Sequence, residues 1–567
     1  MKSKERNKMK KSRYLIRVIL ILLGVAALSQ ACTKLDETLY SQVLPTNFFK
    51  NDNEFVAALG SAYTQLGGYA TGDINEVQEM TTDEVVVPTR GSDWDDGGTQ
   101  RRLHLHSWGY DDGFMNNPWD FCYSGVSTAN RLIYQFNTLS DAAHKDIADG
   151  YVRELITLRS FFYWQLIDLY GSVPYDNDFA NAQAAPPQVP RATVFDNVVS
   201  DLKTNGTQLT KNVDGTTYGR MNYWGGQFLL AKLYLNAQVY TGTAKWDEAI
   251  AACDEIINSG KYNLESNYFS NFNVNNSSSK EFIFAIPYDK IFFTGFTMAA
   301  ASLHYASQYS YNLTFQPWNG YCSLEKFYNS YDAADLRKGD VGTLTGPATK
   351  RGNFVAGYQY KLGGVVATDD GADGADPDGK PLNFGNIGDL INGQPAPQIN
   401  ELGPQAWRQS GVRIGKWEFE IGGTSDMSND YSVFRYADVL LMKAEALWRK
   451  SGSATNAAAL ALVNQVRSRA GLTGITSLDG KLSFDLAGAV VPGGELFNER
   501  GREMAFEHSR RQDLIRFGLW GQVNKWVLPH HNTTDVVNAK TDAYLTLYPI
   551  PKTKLASNPH LVQNPGY

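Results

Sequence analysis

The sequence predicts a mainly α fold, in which tetratricopeptide-like helix pairs form a scaffold for a large loop-rich insertion containing short strands. Helical periodicity runs from about Asn47 to Ser259 and again from Val433 to Leu519. Between these stretches, from Tyr262 to Tyr431, Gly, Asn, Pro and aromatic residues dominate. Because loops carried by a rigid scaffold usually hold the binding site, we expect the ligand to bind at the insertion.

Two helix pairs can be placed from the spacing of apolar residues. One helix face repeats at i, i+3, i+4, i+7, i+10 and i+11, through Ala437, Leu440, Leu441, Ala444, Leu447 and Trp448. A second helix, around Leu460–Arg467, follows the short Lys450–Ser453 linker, which predicts antiparallel packing of the two. The earlier pair is Tyr223–Tyr240 and Trp246–Asn258, and Glu281–Ile286 is a strand-like segment of the insertion.

The first 31 residues have the pattern of a secretory lipoprotein signal. Lys2–Arg17 contains eight Lys/Arg and one acid, Val18–Leu28 has no polar side chain, and the small residue Ala31 precedes Cys32. The apolar run is far shorter than the ~20 residues that a membrane-spanning helix needs. We therefore expect cleavage before Cys32 and acylation of its thiol, with simple secretion as the alternative.

Composition and motifs exclude several classes of function. Without residues 1–31 the chain has 44 basic and 58 acidic residues, a formal net charge of −14, and no basic stripe of the kind that binds nucleic acid. The sequence contains no Walker loop, G-x-S-x-G or H-E-x-x-H motif. Cys122, Cys253 and Cys322 are too few for a disulfide scaffold, so we expect buried free thiols, with at most one bridge among them.

Several motifs occur along the chain in an order that resembles one family. They are Leu158–Trp164 (LRSFFYW), Leu169–Pro174 (LYGSVP), Asp335–Arg337 (DLR), Phe434–Ala446 (FRYADVLLMKAEA), Asn464–Ala470 (NQVRSRA), Tyr548–Pro551 (YPIP) and Gln563–Tyr567 (QNPGY). Taken together, their order and spacing resemble the SusD/RagB family of outer-membrane nutrient-binding lipoproteins. The resemblance covers almost all of the chain after Cys32.

The resemblance implies four segments. These would be the lipoprotein signal peptide (1–31), an N-terminal SusD-like helical region (32–260), the loop-rich ligand-binding insertion (261–432) and a C-terminal SusD/RagB helical region with its tail (433–567). It also implies a protein that is not an enzyme, anchored by palmitate-type acylation to the outer membrane and facing the cell surface. Such a protein binds oligosaccharides and delivers them to a SusC-like TonB-dependent transporter. Because some relatives of this fold serve peptide uptake, peptide capture is the alternative function.

Two loops combine a tryptophan with polar neighbours. Trp94 stands among acids, glycines and Arg90 in the segment Pro88–Gly98, and the sequence Trp318-Asn-Gly-Tyr321 lies inside the insertion. A sugar ring has an apolar C–H face, which packs on an indole, and a polar rim, which meets amides, acids or arginine. This contact needs no charge complementarity and therefore suits a neutral ligand.

Family members place their glycan-contacting aromatic residues on loops in these two regions. On that resemblance we select as ligand-binding candidates Trp94, Trp318, Tyr321, Asn319, Arg90 and Asp93. The alternative is that each tryptophan fills a gap between loop and scaffold. Further aromatic residues that could shape the site or its core are Tyr305, Tyr309, Tyr311 and Phe315.

The densest run of charge, residues 499–516, has two interpretations. Paired carboxylates could serve glycoside hydrolysis. However, Glu499, Glu503 and Glu507 repeat at i, i+4, a spacing at which like charges repel in an isolated helix. We therefore favour ion pairs that join helices, with Arg467 and Arg469 among the partners.

Two possible metal sites are each incomplete. His104 and His106 would share a face if Leu103–Ser107 is extended, but no third ligand has suitable spacing. The acidic stretch Asp369–Asp378 lacks the third-position ligand and the closing Glu of an EF-hand, so we expect a mobile surface loop. Neither pattern is complete, and calcium, although possible, is unsupported. We therefore predict no metal and no cofactor.

Overall fold

The computed structural model describes residues 49–90, 93–139, 142–339, 351–369, 379–384, 390–391, 394–395, 406, 408–527 and 539–567. Asn51–Tyr567 clusters as a single unit, which contains every helix and strand described. The signal peptide and the acylation expected at Cys32 lie outside the described residues, and the four-segment division of the chain stays a prediction. Of the helices within these ranges, none is long and apolar enough to cross a membrane.

Helices supply most of the regular structure among the described residues. In chain order the α-helices are α1 (Asp52–Tyr63), α2 (Asp73–Glu79), α3 (Thr99–His104), α4 (Asn116–Leu139), α5 (Lys145–Tyr170), α6 (Arg191–Thr204), α7 (Tyr223–Thr241), α8 (Trp246–Asn258), α9 (Met298–Ser302), α10 (Ser307–Tyr311), α11 (Glu325–Asn329), α12 (Tyr436–Ser451), α13 (Ala457–Arg469), α14 (Gly494–Met504), α15 (Arg510–Arg516), α16 (Val523–Trp526) and α17 (Lys552–Ser557). The strands are shorter: β1 (Val85–Val86), β2 (Val173–Pro174), β3 (Gln188–Val189), β4 (Phe282–Ile286), β5 (Cys322–Ser323), β6 (Phe354–Val355), β7 (Gly357–Tyr358), β8 (Thr368–Asp369), β9 (Lys380–Pro381), β10 (Asn383–Phe384), β11 (Leu390–Ile391), β12 (Gln394–Pro395), β13 (Val412–Ile414) and β14 (Tyr431–Arg435).

The long helices form one row of pairs. Helices α4 to α8 pack each on the next, and α12 packs on α8 and then on α13. The row therefore continues from the first half of the chain into the second, across the whole insertion. This arrangement confirms the prediction of a mainly α, helix-pair scaffold.

Local sequence explains where the predicted helices begin and end. The Asn222 side chain caps α7 by accepting hydrogen bonds from the N–H groups of Trp224 and Gly225, each at 3.0 Å. Gly242 ends the same helix in the left-handed conformation (φ 80°), and Gly452 (φ 64°) does so for α12. Both predicted helix pairs are confirmed, and the predicted face of α12 is buried from Ala437 to Ala444, whereas its last two residues, Leu447 and Trp448, are half-buried.

A two-stranded ribbon closes the base of the insertion. Strand β4 pairs antiparallel with β14, so that Tyr431 lies opposite Ile286 and Arg435 lies opposite Phe282. Strand β4 confirms the strand expected near Glu281–Ile286, and all five of its residues are buried. Our expectation that helix begins at Val433 is wrong, because this residue belongs to β14 and α12 starts only at Tyr436.

A second, four-stranded sheet has the order β1-β5-β13-β6, with every neighbouring pair antiparallel. Strand β1 comes from the N-terminal half, whereas the other three come from the insertion. Val85 lies opposite Ser323, and Val86 lies opposite Cys322. The residues just after β1 are thereby placed beside the residues just before β5.

A buried ionic network joins the insertion to the scaffold. Glu503 on α14 pairs with Arg337 (3.0 Å), Arg435 (2.7 Å) and Arg469. Glu499 pairs with Arg337 (2.7 Å) and with the predicted partner Arg467 (3.0 Å). Burial alone would raise the pKa of Glu499, but the surrounding arginines outweigh it and lower that pKa to about 2. These contacts confirm the structural interpretation of the charge run.

The three cysteines among the described residues are all buried, and no disulfide joins any two of them. Cys122 lies on α4 and Cys253 on α8, whereas Cys322 begins β5. The expectation of buried thiols is confirmed.

Candidate functional site

The two tryptophan loops predicted from sequence meet in space. The pairing of β1 with β5 brings them together, and the indole N–H of Trp94 donates to the carbonyl oxygen of Trp318 at 2.7 Å. The rings of Trp94 and Tyr321 have centroids 6.0 Å apart at an angle of 56°. Candidates chosen from two distant parts of the chain thus form a single cluster.

A glycine makes room for this contact. A Cβ atom at Gly320 would lie 2.4 Å from Cζ2 of Trp94 and 2.8 Å from the carbonyl oxygen of Ala301, both too close for any side chain. The backbone of the same segment lies along α9, because Trp318 N–H donates to Ala300 O at 2.7 Å and Tyr321 N–H donates to Ala301 O at 2.8 Å. The loop that carries Trp318 is therefore held in place by backbone hydrogen bonds.

Buried arginines form hydrogen bonds with the loop that carries Trp318. Arg90 donates through Nη1 to the carbonyl oxygen of Asn319 (2.6 Å) and through Nη2 to that of Ser410 (2.9 Å). Arg413 donates to the side-chain oxygen of Asn319 at 2.7 Å, and desolvation lowers the pKa of Arg413 to about 10. The Asn319 amide in turn donates to the carbonyl oxygen of Arg408 at 2.9 Å.

Three of the six candidates lie behind the surface. Arg90 and Asn319 are completely buried, and Tyr321 is nearly so. Arg90 and Asn319 form hydrogen bonds with other protein atoms, so in the structure these two residues stabilise the loop. That any of the three contacts a ligand directly stays a prediction.

The other three candidates reach the surface. Trp318 is 45% exposed, Trp94 is half-buried and Asp93 is exposed. We call Trp94, Trp318 and the neighbouring Tyr305 the aromatic platform. The Tyr305 hydroxyl donates to the Asp93 carboxylate, and the Arg408 guanidinium lies 4.5 Å from the Tyr305 ring centroid. Tyr305 is thus fixed both at its hydroxyl and at its ring.

The remaining aromatic residues of the insertion differ in exposure. Tyr309 is 59% exposed, with Lys361 Nζ 5.5 Å from its ring centroid, and Phe315 is half-buried. Tyr311 is buried and packs edge-on against Phe419, with ring centroids 5.3 Å apart. Tyr309 extends the aromatic surface, whereas Tyr311 belongs to the core.

The backbone at the site is strained. Trp94 (φ 58°), Asp96 (φ 40°) and Asn319 (φ 59°) all adopt left-handed conformations. For a bulky residue such as tryptophan this conformation is a true outlier, and each such residue costs on the order of 1–3 kcal/mol. Strain of this kind persists where surrounding contacts enforce it, and it concentrates at functional sites.

A buried histidine lies next to the platform in sequence and was not selected from the sequence. His304 Nε2 is 3.3 Å from the Asp369 carboxylate, which also lies 3.4 Å from Arg408. Burial lowers the pKa of His304 to about 4, although Asp369 opposes that shift. Our expectation that Asp369 belongs to a mobile surface loop is wrong, because the residue is buried; Asp370–Asp378 lie outside the described residues. The chain offers no local signal for a pair so far apart in sequence.

The histidines considered as metal ligands are core residues. His104 ends helix α3, so the segment is not extended as the shared face would require, and His106 stacks on Trp520 with centroids 4.2 Å apart. His106 Nε2 also lies 2.7 Å from the carbonyl oxygen of Thr81. Within the described ranges, no group of three or more His, Cys, Asp or Glu side chains is arranged to hold a metal ion.

The fold is that of SusD superfamily structures: one from Parabacteroides distasonis has a TM-score of 0.66 at 19% identity, over 91% of this chain and 99% of that chain. A sequence model described as the SusD family matches residues 388–567, and one described as starch-binding and associating with the outer membrane matches residues 35–235. The chain belongs to the SusD/RagB family, which confirms the resemblance seen in its motifs.

Named relatives cover most of the chain. The starch-binding protein SusD of Bacteroides thetaiotaomicron is 25% identical over 438 residues, which span 73% of this chain and 72% of that protein. SusD-like protein P2 of Formosa agariphila is 24% identical, over 98% of this chain and 100% of that protein. Surface glycan-binding protein A from Bacteroides thetaiotaomicron, in complex with laminarihexaose, has a TM-score of 0.65 at 19% identity, over 90% of this chain and 99% of that chain. That structural likeness shows the shared fold.

Proposed function

We propose that this chain binds oligosaccharides at the aromatic platform and is not an enzyme. The observation that carries the proposal is Trp318, a large apolar side chain left 45% exposed on a backbone that is hydrogen-bonded to α9 and supported by buried arginines. A tryptophan that merely filled a gap would be mostly buried. Its exposure beside Trp94 favours contact with a ligand.

The surroundings of Trp318 suit a sugar ring. Indole and phenol rings offer apolar faces to the C–H groups of the sugar, and the Asp93 carboxylate beside Tyr305 can accept hydrogen bonds from its hydroxyls. The platform is built before the ligand arrives, since its loops are held by protein–protein hydrogen bonds. A preformed site saves the entropy of ordering it during binding.

The relatives support the same ligand class. One is named a starch-binding protein, and another structure of this fold is in complex with laminarihexaose. We propose accordingly that the chain is an outer-membrane lipoprotein, anchored through Cys32 and facing the cell surface, which delivers oligosaccharides to a SusC-like TonB-dependent transporter. One matching family model is described as associating with the outer membrane, which supports the membrane location. The lipid anchor and the transporter are our inference.

Isothermal titration calorimetry on the soluble chain from residue 33 onward tests the proposal. The ligands would be neutral hexasaccharides of glucose, mannose and galactose, laminarihexaose among them, and a matched set of hexapeptides. Binding of at least one hexasaccharide, without its hydrolysis on prolonged incubation, is expected. Binding of peptides and of no glycan would overturn the proposal in favour of peptide capture, and release of shorter sugars would show an enzyme.

A further inference from the structure

The exposed charge around Trp94 is acidic. Asp93, Asp95 and Asp96 surround this residue in sequence, and all three are exposed. Asp93 accepts the hydrogen bond of Tyr305, which fixes its carboxylate at the edge of the platform. Three exposed carboxylates are therefore carried by the residues that adjoin Trp94 in the chain, and one of them contacts the platform directly.

The cations of the same region are engaged with protein groups. Arg90 and Arg413 are completely buried beneath the loop. Arg102 donates to the Asp112 carboxylate at 2.7 Å and to the carbonyl oxygen of Gly97 at 2.6 Å. Burial keeps the charge of Arg90 and Arg413 away from solvent, and the charge of Arg102, whose side chain is 36% exposed, is paired with Asp112.

Two further cations lie near the tyrosines. The Arg408 side chain is only 14% exposed, stacks on Tyr305 and pairs with Asp369 at 3.4 Å. Lys361 is half-buried over Tyr309. His304 adds no positive charge near neutral pH, because burial lowers its pKa to about 4. Among the described residues around Trp94 and Trp318, the charge that faces solvent is thus carried mainly by carboxylates.

We infer that the platform selects uncharged oligosaccharides and rejects anionic ones, such as uronate-containing or sulfated glycans, with Asp93, Asp95 and Asp96 as the specificity-determining residues. This inference rests on the proposed function. Packing of a sugar C–H face on an indole needs no charge, so a neutral ligand keeps its full contact. A carboxylate or sulfate on the same ligand would be repelled by these aspartates wherever it came within the Debye length, about 8 Å at physiological ionic strength, because repulsion is only partly screened at that range.

The test compares each neutral hexasaccharide with a derivative whose C6 hydroxyls have been oxidised to carboxylates, which keeps length and linkage unchanged. Calorimetry should give at least about tenfold weaker binding for the oxidised form. Raising the salt concentration from about 0.05 M to about 0.5 M should reduce this difference in affinity between the neutral and the oxidised sugar, because salt screens charge repulsion but not ring stacking.

A double variant separates charge from contact. Asp95→Asn with Asp96→Asn removes two charges, and asparagine accepts the left-handed backbone of position 96. We expect this double variant to bind the neutral sugar with unchanged affinity. The ratio of its affinities for the neutral and the oxidised sugar should be at least about threefold smaller than in the wild type, because two like charges have been removed. Asp247→Asn, which removes an exposed carboxylate from α8, is the matched control and should leave this ratio unchanged.

The outcomes distinguish this inference from the proposed function. Equal or tighter binding of an oxidised sugar would overturn the charge selection while leaving glycan binding intact. If the double variant left the affinity difference between neutral and oxidised sugar unchanged, the charge selection would also be overturned, because the aspartates would not cause that difference. Failure of every sugar to bind would overturn both proposals together.

Discussion

The indole N–H of Trp94 donates to the carbonyl oxygen of Trp318 at 2.7 Å, joining two loops that lie 224 positions apart in the chain. This hydrogen bond satisfies the one polar atom of the Trp94 side chain. The indole ring is thereby directed against Gly320, and the ring of Trp318 is left to face solvent. Trp94 therefore holds the two loops together, whereas Trp318 offers an exposed ring to a ligand, so substitutions of the two residues should have different effects.

Truncation of Trp318 should weaken binding directly. Trp318→Ala removes a ring that is 45% exposed, so we expect a loss of about 1–3 kcal/mol in binding free energy with little change in stability. Calorimetry with the tightest hexasaccharide and a thermal melt measure the two quantities. Tyr134→Ala, which removes an exposed aromatic ring on α4, is the control and should bind normally. A Trp318→Ala protein that binds normally but melts early would show that the residue only fills a gap.

The Trp94 hydrogen bond can be separated from the Trp94 ring. Trp94→Phe retains an aromatic face but loses the N–H donor, so the Trp318 loop should become less ordered. Trp94→Ala should weaken glycan binding by about 1–3 kcal/mol. We expect Trp94→Phe to have an affinity between those of the wild type and Trp94→Ala, and faster amide hydrogen exchange at residues 318–321. Wild-type exchange rates in this variant would contradict the assigned role of the hydrogen bond.

Substitution of Gly320 should displace Trp94 without touching it. In Gly320→Ala the added methyl would lie 2.4 Å from the indole, so the ring must move and affinity should fall about as far as in Trp94→Ala. Gly150→Ala is the control: nothing lies within 4 Å of its Cβ, and alanine in the interior of α5 should add about 0.5–1 kcal/mol of stability. Normal glycan affinity in Gly320→Ala would show that the position of Trp94 does not matter for binding.

Glu503 should be among the most sensitive positions for stability. Glu503→Gln leaves Arg337, Arg435 and Arg469 buried with one carboxylate fewer, which costs about 3–5 kcal/mol in the free energy of unfolding. Denaturant titration measures the loss. Asp254→Asn breaks a partly exposed pair with Lys443 and should cost no more than about 1 kcal/mol. Similar losses in the two variants would show that burial adds nothing to the network.

Acid should destabilise the fold through its buried histidines. Burial lowers the pKa of His104 from an ordinary 6.5 to about 4, so below pH 6.5 the unfolded chain binds a proton that the folded protein does not. The stability from this residue is complete above pH 6.5 and is lost as the pH falls towards 4. His104→Gln should therefore reduce the drop in unfolding free energy between about pH 6.5 and 4.5 by about 2 kcal/mol. An unchanged pH dependence in the variant would refute this account.

Cys32 should matter for location and not for binding. Cys32→Ala removes the thiol that we expect to carry the lipid, so the protein should leave the membrane fraction while its glycan affinity stays at the wild-type value. Fractionation with immunoblotting follows the protein, and mass spectrometry of the N-terminal peptide detects the acyl groups. Wild-type protein found free in the medium, or a mature N-terminus without lipid, would contradict the proposed anchor.

Local patterns were enough to predict the scaffold. The apolar spacing from Ala437 to Ala444 predicted a buried helix face because the period of a helix depends on neighbouring residues only. The i, i+4 carboxylates of α14 indicated ion pairing for the same reason, and Arg467 was correctly predicted as a partner. Arg337 and Arg435 could not be assigned, because they reach Glu503 from the insertion and from β14.

The sequence by itself determined the family motifs, the helix pairs and the two tryptophan loops, all of which are encoded within short stretches of chain. Only the tertiary structure decided that these loops form one platform, because the antiparallel pairing of β1 with β5 joins residues more than two hundred positions apart. It also decided which candidates face solvent. Trp318 is held through its carbonyl oxygen, which accepts from Trp94, and its side chain stays 45% exposed, whereas Arg90 and Asn319 are buried and hydrogen-bonded within the loops.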